Sequence, residues 1–351
     1  MIQMTKPKPL QIAALVLLSA CATIGDEAAF PGPVESGVGP FRPLNQAETA
    51  LESTQAGRIV PAGPGVGRAM MTQGSLWYAA ADALATPPER DDTLPDFEVD
   101  WAQFSARAIY ASPSSAPTRY GYDPGAVVLE ASEPWQGGVV FDPWAVEASD
   151  GSVRLYFASE GGIGVATRSA GGSFGAPTQI LEDARAPSVV EFAGETLLFF
   201  ERAGRIGLAK SNDGVNFSLE TEALDVGERP PDDEEPEEVA QRSPGAVVVT
   251  SATGRVSLRV YFESRFDDLS SGISVAATMD TINYDRFAAD LFGDATLLGS
   301  DPGQPAPFVE SVGAPTLLTL TRTSPGRPQL RAILGAITPA RIELVPSPEE
   351  P

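Results

Sequence analysis

The chain has 351 residues, which is enough for one large all-β domain or two ordinary ones. Its formal net charge of −23 argues against nucleic acid as a partner, because phosphate binding needs basic faces. Histidine is absent, which excludes Ser-His-Asp catalysis and histidine-ligated zinc. A hydrophobic content of 42% with 34 Gly and 32 Pro is typical of a folded protein of strands and turns. No cofactor and no metal ion are expected.

The N-terminus combines a basic region with a short apolar run. Lys6 and Lys8 precede the apolar residues 10–18, which are too few for a membrane-spanning helix. The Leu-Ser-Ala-Cys sequence ending at Cys21 resembles the lipobox of bacterial lipoproteins. That resemblance implies lipidation of Cys21, the only cysteine, and acyl chains that hold the protein to a lipid bilayer. Ala22 in place of Asp after the cysteine implies sorting to the outer membrane, at its periplasmic face or the cell surface. An ordinary signal peptide that contains a cysteine is the alternative.

Composition divides the chain into segments. Residues 1–21 are predicted as the lipoprotein signal peptide and the Pro- and Gly-rich residues 22–57 as a flexible tether. Residues 58–346 are predicted to fold. Within them, residues 227–241 carry many acidic residues and prolines, which predicts a disordered, solvated loop, with a calcium site as the alternative.

One sequence unit recurs along the folded region. Its best copy runs from Val140 to Thr167 and contains the strand-like segments VFDPWAVE, RLYFAS and GIGVAT. Units of roughly 40–50 residues with several strands each are typical of propellers. The copies therefore predict an all-β fold, a five-bladed β-propeller of four-stranded antiparallel blades. The predicted blades cover about 67–131, 139–182, 186–226, 243–298 and 305–345.

A turn and an aromatic residue follow the third strand in three of the units. Two of the turns are rich in Gly or contain Asn-Asp-Gly, which supplies the positive φ that a tight turn needs, and Thr278 to Tyr284 is a looser version. The aromatic residues are Phe174, Phe217 and Tyr284. We expect them to pack between blades.

These repeats resemble the arabinanase-like, invertase-like and levansucrase-like propellers, including glycoside hydrolase family forty-three. In that superfamily, catalytic carboxylates lie at the starts of the innermost strands, and the resemblance implies a similar pocket here. Asp142, directly before Pro143, matches the family's Asp-Pro motif. Arg185 stands two residues before Pro187, where a family enzyme carries Glu, and Arg242 stands at the corresponding place in the fourth blade. A guanidinium cannot protonate a leaving group, because its pKa is too high.

The resemblance implies that two sets of residues lie around the pocket. The candidate catalytic residues are Asp142 and, as its partner, Glu160, Glu201 or Glu263. The candidate ligand-binding residues are Asp142, Trp144, Arg185, Arg202, Arg242 and Arg265. Paired arginines suit an anionic ligand such as a uronate. The alternative is that these charged residues pair with one another and hold the blades together, that Asp142 caps a turn, and that Trp144 packs between blades.

Three functional hypotheses remain open from the sequence. The first is a membrane-anchored, monomeric, glycosidase-like propeller that recognises a glycan or another anionic small ligand without hydrolysis. The second is an active glycoside hydrolase that uses Asp142 and a loop glutamate. The third is a structural or protein-interaction propeller.

Overall fold

The computed structural model describes part of the chain, and all structural statements below concern that part. The described residues are 68, 70–72, 75–81, 106–113, 126–221, 237–250, 256–268, 271–287, 300–308, 316–324, 327–329 and 335–336. The predicted signal peptide, the predicted tether and most of the predicted acidic loop lie outside them. The described residues include no helix that is long and apolar enough to cross a membrane.

Within the described residues, the regular structure consists of twenty strands and one short 3-10 turn, Pro134–Gln136. The strands are β1 (Met70–Met71), β2 (Ser75–Ala81), β3 (Ala106–Pro113), β4 (Ala126–Glu130), β5 (Phe141–Glu147), β6 (Val153–Ser159), β7 (Gly162–Arg168), β8 (Thr178–Glu182), β9 (Arg185–Phe192), β10 (Glu195–Arg202), β11 (Arg205–Ser211), β12 (Ser218–Thr221), β13 (Glu238–Thr250), β14 (Val256–Phe266), β15 (Ser271–Thr278), β16 (Asp285–Phe287), β17 (Ser300–Phe308), β18 (Thr316–Ser324), β19 (Arg327–Gln329) and β20 (Gly335–Ala336).

The strands form five antiparallel sheets of four, each made of four consecutive strands. In the first four sheets the order in space is the order in sequence, whereas in the fifth β20 pairs with β18 beside β19. The first strand of each sheet touches the first strand of the next, and β1 touches β17, so the ring is closed. This arrangement confirms the predicted five-bladed β-propeller, and the sheets are called blades one to five below.

The core lies between adjacent blades, where aromatic side chains of one blade meet the turn of the next. Trp77 packs edge-on against Phe174 at 6.3 Å between ring centroids, and Tyr156 packs in the same way against Phe217 at 6.2 Å. Tyr284 packs against the cluster between blades three and four. The predicted role of these turn aromatics in blade packing is confirmed.

Glycines in the third strands allow the second strands to bury large rings. A Cβ added to Gly207 would lie 2.2 Å from the Phe200 ring, and one added to Gly164 would lie 2.8 Å from the Phe157 ring. Blade four has Ser274 at the corresponding place, and its hydroxyl bonds the hydroxyl of Ser264. The Ile-Gly sequence of blades two and three therefore reflects close packing of the third strand against a ring of the second.

Blades two, three and four each begin with an irregular backbone step, a local break in strand pairing directly before a proline. Asp142, Ala186 and Ser243 have φ of 48°, 50° and 48°, a left-handed conformation that non-glycine residues seldom adopt. At each step the pairing of the first strand with the second shifts, so the pre-proline residue and the proline have no partner in the ladder. These steps turn backbone groups of the inner strands away from their own sheet.

Blade four begins inside the segment predicted as a disordered acidic loop. β13 starts at Glu238, whose carboxylate bonds both terminal nitrogens of Arg286, at 2.7 and 2.5 Å. The ion pair is nearly buried, with side-chain exposures of 9% and 8%. The guanidinium of Arg286 neutralises the carboxylate of Glu238 through two parallel hydrogen bonds. The acidic residues next to Glu238 in the sequence cannot do this.

Candidate functional site

The starts of the first strands and the turns between second and third strands lie at one edge of the propeller. We call this edge the mouth. The charged residues gathered there are called the axial cluster and consist of Arg68, Asp142, Arg185, Glu201, Arg242, Glu263 and Arg265. Asp142 is buried, with 5% of its surface exposed.

Asp142 is held by the backbone of two other blades. Its Oδ1 accepts the N–H of Arg68 at 2.7 Å, and its carboxylate also accepts the N–H of Ala186. Burial raises the pKa of Asp142, and the positive charges of Arg68 and Arg185 partly oppose that rise. The carboxylate therefore joins blades one, two and three.

Arg68 fills the space at the propeller axis. Its guanidinium donates one hydrogen bond to the carbonyl of Pro187 and another, of 2.5 Å, to the carbonyl of Pro244. Its charged carbon lies 4.7 Å from the centre of the Trp144 ring. Burial lowers the pKa of Arg68 to about 10, against the opposing pull of Asp142 and Glu201, so it stays charged at neutral pH.

Register places the glutamates of blades three and four at corresponding positions. Glu201 lies opposite Arg185, and Glu263 lies opposite Arg242, whereas blade two has Ala158 opposite Phe141. Opposite charges in such cross-strand pairs stabilise a sheet. The equivalent charged pairs explain why the Arg and Glu residues recur together in the sequence.

Glu201 links blade three to blade four. Its Oε2 accepts the N–H of Ser243 at 3.1 Å, and its Oε1 lies 4.0 Å from Nε of Arg242. Burial raises the pKa of Glu201, while Arg185 and Arg242 act in the opposite direction. Glu263 is paired within its own blade, with Oε1 2.5 Å from Nε of Arg265. Both glutamates are buried.

Trp144 is a packing residue. Only 4% of its surface is exposed, and its indole N–H donates to the carbonyl of Val189 in blade three at 2.8 Å. One ring face carries the Arg68 guanidinium. A sugar ring has no access to a face that is covered in this way.

Glu160 and Arg202 lie at the rim of the mouth, and Arg185 lies nearer the axis. Glu160 is exposed on the turn after β6, against Gly137 of the linker between blades one and two. Arg202 is half-buried, donates to the carbonyl of Glu182 at 2.7 Å and covers the Phe200 ring. Arg185 is half-buried beside Glu201 and Asp142. The structure thus brings Asp142, Glu201, Arg185 and Arg242 together at the axis and leaves Glu160 and Arg202 at the rim.

Sequence reasoning missed Arg68. It lies two residues before Met70, as Asp142 lies two residues before Trp144, and both Met70 and Trp144 begin the regular pairing of their blades. Blade one lacks the proline that marks the step in the other blades, so the correspondence was hidden. Aligning the hydrophobic residue after the step, rather than the proline, would have found it.

The axial cluster is a network of ion pairs and of hydrogen bonds between charged side chains and backbone groups. Within the described residues, no three acidic or cysteine side chains are grouped so that they could hold a metal ion. The cluster pairs four arginines with three carboxylates, an excess of positive charge in a chain with a net charge of −23.

Comparisons with known proteins give fold-level similarity. No protein-family model matches the chain, and no curated protein is detectably similar to it in sequence. Among solved structures, it is similar to an endo-1,4-beta-xylanase from Bacteroides thetaiotaomicron, with 14% identity, a TM-score of 0.51 and coverage of 77% of this chain and 89% of that one. It is equally similar to RS223-beta-xylosidase, with 14% identity, a TM-score of 0.51 and coverage of 77% and 92%. The chain therefore shares the propeller fold of glycoside hydrolases.

Proposed function

We propose that this protein is a lipid-anchored, glycosidase-like propeller that recognises a glycan or another anionic small ligand at its mouth without hydrolysing it. The observation that supports this most directly is the position of Arg68. Its guanidinium occupies the axis, between the carboxylate of Asp142 and the inner strands of blades three and four.

The contacts of the carboxylates support the proposal of binding without hydrolysis. Glycoside hydrolysis needs two carboxyl groups that flank the sugar bond, one of them able to donate a proton. Asp142 and Glu201 are both buried and both accept backbone N–H groups from a neighbouring blade. A sugar bond between them would have to displace the Arg68 side chain.

The anionic ligand follows from the charge at the mouth. Arg185, Arg202 and Arg265 are half-buried there, in a chain that is otherwise strongly acidic. Guanidinium groups bind carboxylates and phosphates through paired hydrogen bonds, which favours a uronate, a carboxylated sugar or a phosphorylated sugar. Arg265 and Arg185 each also face a glutamate, so a ligand at this edge competes with Glu263 and Glu201.

Ligand binding is tested with acidic and neutral glycans on the same array, at low and at physiological salt. We expect salt-sensitive binding of acidic glycans and no release of product from aryl glycosides. Arg185→Gln is expected to lower the binding affinity about tenfold or more, which corresponds to the loss of one charge-assisted hydrogen bond. Arg154→Gln is the matched control, since Arg154 bonds Asp213 and Glu191 on the outside of the blades.

Two results would overturn this proposal. Hydrolysis that Asp142→Asn abolishes would identify an active glycosidase. Failure to bind any glycan, with an unchanged melting temperature in the presence of each, would leave a structural or protein-interaction propeller.

The membrane anchor is proposed from the sequence around Cys21. Because two or more acyl chains hold a protein stably at a bilayer, the wild-type protein is expected in the membrane fraction and Cys21→Ser in the soluble fraction. Fractionation followed by immunoblotting measures this. Equal distribution of both proteins in the soluble fraction would contradict a lipid anchor.

A further inference from the structure

The Arg68 side chain lies in a cage made by other blades. Blade three contributes the carbonyl of Pro187, and blade four contributes the carbonyl of Pro244. Blade two contributes the face of the Trp144 ring. Only 1% of Arg68 remains exposed. All of these groups are complementary to a cation with N–H donors.

The two carbonyls are directed at the axis by the irregular steps before the prolines. Pro187 lies between Arg185 and Ser188 in the register of blade three, and Pro244 holds the same place in blade four, and neither has a partner in its ladder. A carbonyl without a ladder partner needs another donor when it is buried. The cage therefore presents acceptors that arise from the fold of blades three and four, independently of Arg68.

Two carboxylates, those of Asp142 and Glu201, also contribute to the cage. The carboxylates of Asp142 and Glu201 both act on the Arg68 guanidinium, and each is held in place by backbone N–H groups of the next blade. The other charged groups near these carboxylates are Arg185, beside both of them, and Arg242 and Glu263, beside Glu201. The cage thus combines two carbonyls, an aromatic face and two carboxylates around one cation.

We propose that the propeller axis is a guanidinium-binding site that the chain occupies with its own Arg68, an internal contact that closes the axis to outside ligands. Arg68 lies two residues before β1, a short strand whose described pairing with β2 comprises Met70 and Met71. The cage, rather than strand pairing, therefore contributes much of what holds the start of blade one in the ring. This inference shares the position of Arg68 with the proposed function, but it concerns a cation at the axis rather than an anion bound at the mouth.

The test is chemical rescue of Arg68→Ala in the full chain, followed by thermal unfolding. The variant is expected to melt roughly 5–10 °C below the wild type, because it leaves buried acceptors and carboxylates uncompensated. Guanidinium chloride at low millimolar concentration is expected to restore part of the loss in a saturable manner, since a ligand that binds only the folded state stabilises it. Sodium chloride at equal ionic strength, and urea, are expected to restore none of it.

Arg154→Ala is the matched control, because Arg154 also donates to a backbone carbonyl, that of Asp213, but at an exposed site. Guanidinium that stabilises both variants equally, or neither, would overturn the proposal. If Arg68→Ala does not fold, the wild-type protein supplies the measurement through nitrogen-15 spectra of its arginine side chains. A slowly exchanging guanidinium signal that is absent from Arg68→Lys supports the cage, and the lack of any such signal contradicts it.

Discussion

Replacing Glu201 with alanine is expected to lower the free energy of unfolding by about 3–5 kcal/mol, the usual result of removing one partner of a buried ion pair. The change leaves Arg242 and Arg185 without the carboxylate that faces both of them, and it removes the acceptor of the Ser243 N–H. Denaturation by urea, monitored through tryptophan fluorescence, measures the loss. Because Glu201 joins blades three and four, we also expect faster unfolding.

Glu191→Ala is the control for this loss. Glu191 pairs with Arg154, but its side chain is 65% exposed, and exposed pairs contribute only about 0–1 kcal/mol. A loss for Glu201→Ala as small as that for Glu191→Ala would show that the axial cluster does not hold the blades together.

The pH dependence of stability separates the charge of Glu201 from its hydrogen bonds. Burial raises the pKa of Glu201, so the folded protein keeps a proton at a pH at which the unfolded chain has released it. The contribution of this group to stability therefore increases as pH falls from above its folded-state pKa towards the unfolded value of about 4.3. Glu201→Gln cannot titrate, so the wild type is expected to gain stability relative to this variant across that window. A difference between the two proteins that is constant with pH would contradict the raised pKa.

Replacing Trp144 with alanine is expected to cost about 3–5 kcal/mol, as for other large aromatic residues removed from a core. The change creates a cavity between blades two and three, leaves the Val189 carbonyl without its donor, and removes the ring beneath Arg68. Trp144→Phe keeps a ring at this place but lacks the N–H donor, and we expect it to cost about 1–3 kcal/mol. Urea denaturation of both variants measures the two contributions.

Val127→Ala is the control for Trp144, because Val127 is 46% exposed on an outer strand and its truncation should change stability by less than about 0.5 kcal/mol. A Trp144→Ala variant that keeps wild-type stability but no longer binds glycans would show instead that the ring stacks on a sugar.

The axial cluster holds its carboxylates through contacts between blades of the propeller. Asp142 and Glu201 lie where the starts of the inner strands converge, yet each accepts a backbone N–H from an adjacent blade. Arg68 provides the opposing charge at the axis. In this arrangement the buried polar groups at the axis join the blades, and Arg202 and Arg265 remain half-buried at the mouth.

The sequence by itself determined the propeller, the number of blades and the packing of the turn aromatics. These features repeat within each unit, and the alternation of polar and apolar residues, the turns and the glycines beneath the rings all act over a few residues. The position of Asp142 at the start of an inner strand also followed from its own unit.

The tertiary structure alone decided which groups the candidate residues contact. Arg68 and Pro244 are 176 positions apart in the chain, and no local pattern connects them. Trp144 was open to either packing or sugar binding until its partner, the Val189 carbonyl of the next blade, was known. The physical reason is that burial and charge compensation depend on groups that different blades bring to one axis, whereas the repeat pattern depends only on each blade.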